Sequence, residues 1–293
     1  MKAAPAQANA DALARGRRTE QALFAGMTIP ATLLLLVVVF LPIFWLSTLS
    51  FLDRAGEPSL ENYRRLGGDI YVDAFVVTLE ISAAVTAICV ALGYPLAYWL
   101  ARQRQRVANL LLICVLLPFW TAVLVRTYAW LVLLQRRGLV NSTLLSLGII
   151  DQPLQLAFNL QASIIGMVHV MLPFLVLPLY ASMKAIDGDL VRAAIGLGST
   201  PTGAFWRVFV PMSLPGLFAG VVLVFVLSLG FYVTPALLGG GRVQMIAQRI
   251  ESTITIFSNW GAASALGVVL LVVALGLVAL LQRALGLDRL FVR

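Results

Sequence analysis

Lysine is nearly absent from this chain: the two that it has are Lys2 and Lys184, and neither follows a glycine-rich loop. No G-x-x-x-x-G-K-[ST] motif occurs, so the chain has no P-loop with which to bind ATP. Histidine is limited to His169, and no His/Cys/Asp/Glu cluster has metal-ligand spacing, so neither a metal nor another cofactor is expected. Cys89 and Cys114 both fall in apolar stretches, where they read as small buried side chains rather than a disulfide. Charge is also scarce, at 12% of residues. With 60% hydrophobic residues and a mean hydropathy of +0.94, this excludes an ordinary soluble domain.

What fills the sequence instead is long apolar runs. A bilayer-spanning helix needs about 20 apolar residues, because each backbone polar group must be satisfied within the segment. Six stretches qualify, and the fold class expected is an all-α integral membrane protein with spans at 28–51, 71–100, 107–134, 162–183, 211–238 and 263–282. Residues 1–27, rich in Ala and Arg, are expected to be a disordered cytoplasmic segment, followed by a retained first helix rather than a cleaved signal peptide. The membrane-embedded body is then 28–293. Thirteen of the 21 Lys and Arg residues fall on one side if the N-terminus is inside and seven on the other, which places both termini in the cytoplasm. Topology thus accounts for the net charge of +8, and no nucleic-acid partner is needed.

The fourth and fifth spans are separated by a polar, patterned segment, 187–211. Asp187 or Asp189 can cap a short helix carrying Leu190, Val191, Ala194 and Leu197, and Gly198 suits the left-handed residue that ends it. Ser199 or Thr200 can cap a second helix, with Pro201 in its first turn and Phe205, Trp206, Phe209 and Val210 as its apolar surface up to Pro211. Such a pair can be a plain interfacial connector.

The register of this segment resembles the cytoplasmic "EAA" loop of permease subunits in bacterial ATP-binding-cassette importers. That pattern is Glu-Ala-Ala, three residues, Gly, nine residues and Ile-x-Leu-Pro. Ala193, Ala194, Gly198 and Pro211 stand at its alanines, glycine and proline, with Val208 and Val210 at the aliphatic positions. Arg192 stands in place of the glutamate, which reverses a charge. The stretch LPFWTAVLVRTYAWLVLLQRRGLVNSTLL, with LPFLVLPLYASM and TPALLGGG later on, is similar to the spermidine/putrescine branch of these permeases. The resemblance implies a type I importer permease of the bacterial inner membrane. It also implies partners: ATP-binding-cassette ATPases docking on Asp189, Arg192, Ala193, Ala194, Gly198, Pro201 and Pro211, a second homologous permease, and a soluble solute-binding protein. The ATPase, not this chain, would hydrolyse ATP. The same framework also suits importers of an opine, an amino-acid derivative or a phosphonate. An ion-driven secondary transporter would be expected to repeat a broken-helix signature in its two halves, and none is evident.

Candidate pathway residues are Ser228, Tyr232 and Thr234 in the fifth span, for which helix packing is the competing role. Glu80 and Arg126 are ionisable groups inside spans, at similar depths of about 12–13 Å at about 1.5 Å per residue. Either they pair, or Glu80 is a cation-attracting carboxylate of the pathway. His169 is expected to be a packed residue with a satisfied ring nitrogen.

Overall fold

The computed structural model describes residues 4–54 and 56–284, and among these every regular element is helical. In chain order the α-helices are α1 (Ala4–Ser50), α2 (Glu61–Arg65), α3 (Asp69–Ala101), α4 (Gln105–Leu116), α5 (Val123–Leu134), α6 (Leu139–Ser146) and α7 (Leu160–Lys184). They continue with α8 (Gly188–Gly196), α9 (Pro201–Ala204), α10 (Val210–Leu229), α11 (Val233–Leu238), α12 (Ile246–Thr255) and α13 (Trp260–Ala284). A 3-10 turn, Leu117–Trp120, follows α4, and a π turn, Phe205–Phe209, joins α9 to α10.

Among the described residues, five helical runs are long and apolar enough to cross a bilayer, or six if the bent run from Gln105 to Ser146 is one span. The first correction to the sequence reading lies there. The stretch 107–134 is not one helix, because α4 and α5 meet at a 93° bend. Thr121 and Ala122 adopt extended backbone (ψ 144° and 139°), immediately after the 3-10 turn that contains Pro118. A second correction concerns Pro211, which does not end a helix. The chain runs helically from Pro201 to Leu229, and Pro211 sits in the first turn of α10. Proline removes one i→i−4 bond and crowds the preceding turn. The π turn absorbs this by letting the Val210 N–H reach Phe205 O, five residues back.

The expected fifth span also stops early. Gly230 to Tyr232 interrupt it, and α11 is a separate short helix. In the segment 1–27, expected to be disordered, the backbone is helical from Ala4 onward, in keeping with the helix-favouring Ala, Gln, Glu and Arg there, and residues 1–3 lie outside the described set.

The centre of the molecule is α7, which packs between α3 and α10. Met167, Met171, Leu175 and Leu179, spaced by four, form one fully buried ridge of that helix. Small residues let the neighbours approach it. On α10, Gly216 and Gly220 face α7 so closely that an added Cβ would lie 2.2 Å from the Ser182 Cβ and 3.0 Å from the Leu175 backbone oxygen. On α3, a Cβ at Gly93 would lie 2.6 Å from a Leu175 methyl. This is how membrane helices gain dispersion contacts where lipid supplies no hydrophobic drive between them. By contrast, α1 packs along α13 and exposes Leu33 to Phe40 broadly, as a lipid-facing helix does.

Candidate functional site

The segment 187–211 folds largely as its residues dictate. The Asp187 carboxylate caps α8, accepting from the Asp189 N–H at 2.9 Å. Gly198 terminates it at φ +93°, and nothing stands within 4 Å of where its Cβ would be, so glycine is required by conformation and not by crowding. Thr200, not Ser199, caps α9 by accepting from the Gly203 N–H at 3.1 Å, with Pro201 as the first helical residue.

Asp189 and Arg192 form an exposed ion pair one turn apart. The hydrogen bond from Arg192 to Asp189, with the carboxylate's charge, raises the guanidinium further above its ordinary value. Ala193 is exposed and Ala194 half-buried, while Leu197 is 90% exposed and Trp206 is 63% exposed. The segment thus presents unpartnered apolar groups on its outer side. Its inner side is tied down: the Tyr98 ring on α3 meets Phe205 and Phe209, each at 5.1 Å between ring centres. The sequence reading did not single out Tyr98. Its only signal was the i,i+4 spacing of the two phenylalanines, which requires an apolar partner.

The polar residues within the spans divide into two groups. Thr234 is fully buried, and its hydroxyl shares a 3.1 Å hydrogen bond with that of Thr127 across α5 and α11. Ser228 is also fully buried, with its Oγ unpartnered. Both are packed positions in this chain. Tyr232 is exposed beside the Gly230 break.

Glu80 and Arg126 are not an ion pair. Neither of the two salt bridges among the described residues involves them. Similar depth was not sufficient, because the side chains face different ways. Glu80 is exposed on α3, whereas Arg126 is buried on α5, which packs against α7 and α11. Arg126 Nε and Nη1 have no hydrogen-bond partner among the described residues. Close by, Trp130 Nε1–H donates to His169 Nδ1 at 3.1 Å, which supplies the ring-nitrogen partner expected of His169.

The long apolar helices, with the capped turn between α7 and α10, define a helical membrane protein. The family described as binding-protein-dependent transport system inner membrane component matches residues 93–288, and the chain belongs to that family. It is 35% identical over 245 residues to the spermidine/putrescine transport system permease protein PotB of Escherichia coli (strain K12), covering 82% of this chain and 89% of that protein. It is 34% identical over 256 residues to the protein of the same description from Haemophilus influenzae, covering 85% and 90%. A bacterial ABC transporter involved in the import of alginate shares the fold, with a TM-score of 0.72 and 17% identity over 96% of this chain and 99% of that one.

Proposed function

We propose that this chain is one permease subunit of an ATP-driven, binding-protein-dependent importer of polyamines of the spermidine and putrescine kind. The observation that carries the reading is identity of 34–35% to spermidine/putrescine permeases over 82–85% of the chain. Both termini and the segment 187–211 lie in the cytoplasm, in keeping with the surplus of Arg on that side. ATPase subunits dock on α8 and α9, a second permease completes the pathway, and a soluble binding protein delivers solute from the other face.

The geometry supports a coupling role for the helix pair. Because α9, the π turn and α10 are one continuous helix, a displacement of the pair passes directly to the span that packs on α7. Tyr98, stacked edge-on to Phe205 and Phe209, carries the same motion to α3. Nucleotide binding shifts the two-state equilibrium only by the difference in its affinity for the two arrangements. Within the pathway, exposed Glu80 and Tyr232 are suited to a cationic solute, while Ser228 and Thr234 serve packing.

Buried, unpartnered Arg126 favours a second reading, an anionic cargo such as a phosphonate. One experiment separates the two. The importer, reconstituted with its ATPase, second permease and binding protein, should take up labelled spermidine or putrescine only with ATP. ATP-driven phosphonate or opine uptake without polyamine uptake would overturn the substrate, and uptake independent of ATP would overturn the class.

A further inference from the structure

The ends of α3 and α7, with α8 and the start of α9, enclose a cavity of about 550 Å³. Arg102, Lys184 and Arg192 lie around it, and no carboxylate is among its lining residues. One wall is aromatic, built from Tyr98, Phe205 and Phe209. Two of these cations make local bonds. Arg102 Nη1 donates to the Tyr98 hydroxyl at 2.7 Å, with its guanidinium 5.2 Å from that ring's centre. Lys184 Nζ reaches the Ala101 and Gln103 carbonyls at 3.4 and 3.5 Å, tying α7 to the end of α3. Asp189 offsets the charge of Arg192, whereas Arg102 and Lys184 have no carboxylate partner among the described residues.

The position matters as much as the charge. Arg102 follows the last residue of one apolar run and Lys184 is the last residue of another, so the cavity sits where spans leave the bilayer. A basic pocket between helix ends at that level suits an anionic lipid headgroup. Free phosphate would use the cations but leave the aromatic wall idle, while a phospholipid uses both. Arg192 fits the same picture, since a glutamate there would place a carboxylate at the rim.

We propose that this cavity holds an anionic phospholipid, with its phosphodiester between Arg102 and Lys184 and the start of its acyl chains against Tyr98, Phe205 and Phe209. The lipid would then be a structural ligand of the joint between the helix pair and the spans. This does not depend on which solute is imported.

The test uses the whole importer, purified in neutral detergent and examined by native mass spectrometry with phosphatidylglycerol or phosphatidylcholine added. The wild type should retain phosphatidylglycerol in preference to phosphatidylcholine, and millimolar inorganic phosphate should not displace it. In the double variant Arg102→Gln with Lys184→Gln, affinity should fall by about 25-fold, each charge near a headgroup contributing about fivefold. The charge-preserving pair Arg102→Lys with Lys184→Arg should retain the lipid, which covers the case in which the neutral variant fails to assemble. Equal retention of phosphatidylcholine, unchanged retention by the neutral variant, or displacement by phosphate would each overturn the proposal.

Discussion

Trp130 and His169 are joined by an Nε1–H to Nδ1 hydrogen bond of 3.1 Å, with their rings edge to face at 5.8 Å, so α5 is pinned to α7 by one specific contact. Trp130→Phe keeps an aromatic ring but removes the donor and part of the indole's volume. The hydrogen bond's share should be about 0.6 kcal/mol and no more than about 1.7, the mean and maximum for side-chain hydrogen bonds between membrane helices. Unfolding of the purified chain in mixed detergent measures it, with His169→Phe as the second arm of a double-mutant cycle. Additive losses from the two substitutions would show that the bond contributes nothing.

The absence of a Glu80–Arg126 pair gives an expectation opposite to that from depth alone. Glu80→Gln and Arg126→Gln should be additive in folded yield, with a coupling below about 0.5 kcal/mol, since the groups share no contact. Arg126→Met should leave folded yield unchanged or raise it, because an unpaired buried guanidinium is costly to desolvate. It should nevertheless reduce transport if the charge serves the pathway. Normal transport by well-folded Arg126→Met would remove Arg126 from the pathway.

Close helix approach at α7 predicts a graded glycine series. Gly216→Ala and Gly220→Ala place a methyl against Ser182 and Leu175 and should cost about 1–3 kcal/mol. Gly276→Ala, on the open face of α13 with nothing within 4 Å, should be neutral or slightly stabilising by helix propensity. Thermal unfolding of the three variants decides it. Equal stability across them would mean that α7 and α10 are not in contact as described.

What the sequence made legible was local chemistry. The caps at Asp187 and Thr200 and the turn at Gly198 depend on residues whose preferences act over a few positions, whereas Trp130, which satisfies the His169 ring, lies 39 positions away and could not be named from the sequence. The breaks were less legible, because proline is a poor guide inside a bundle. Pro173 and Pro178 lie within an unbroken α7 and Pro95 within α3, while the sharp bend falls at Thr121 and Ala122, beyond Pro118. Neighbouring helices decide which prolines the chain bends at. The amphipathic α12, fastened by Thr78 Oγ1 accepting from the Ile246 N–H at 2.9 Å, was missed because its partner is 168 positions away.

The joint at Gly198 separates a coupling device from a connector. Its φ of +93° is strained for any residue with a Cβ, and most for a β-branched one. No atom stands within 4 Å of the added Cβ, so the penalty is purely one of backbone conformation. Gly198→Asn should therefore be tolerated, because asparagine adopts left-handed backbone more readily than other residues, whereas Gly198→Val should cost more than about 1 kcal/mol at this turn. The spans pack at α7, away from this turn, so the valine variant should still insert and meet its partner permease. What it should lose is the angle between α8 and α9, and with it ATPase docking or solute-stimulated hydrolysis. Arg192→Glu, made in parallel, places two carboxylates one turn apart and removes the pair with Asp189, so ATPase binding should change its salt dependence. Complex recovery and hydrolysis rate, measured for all three variants across a salt series, provide the answer. If Gly198→Val assembles, hydrolyses ATP and transports as the wild type does, the helix pair is only a connector between spans.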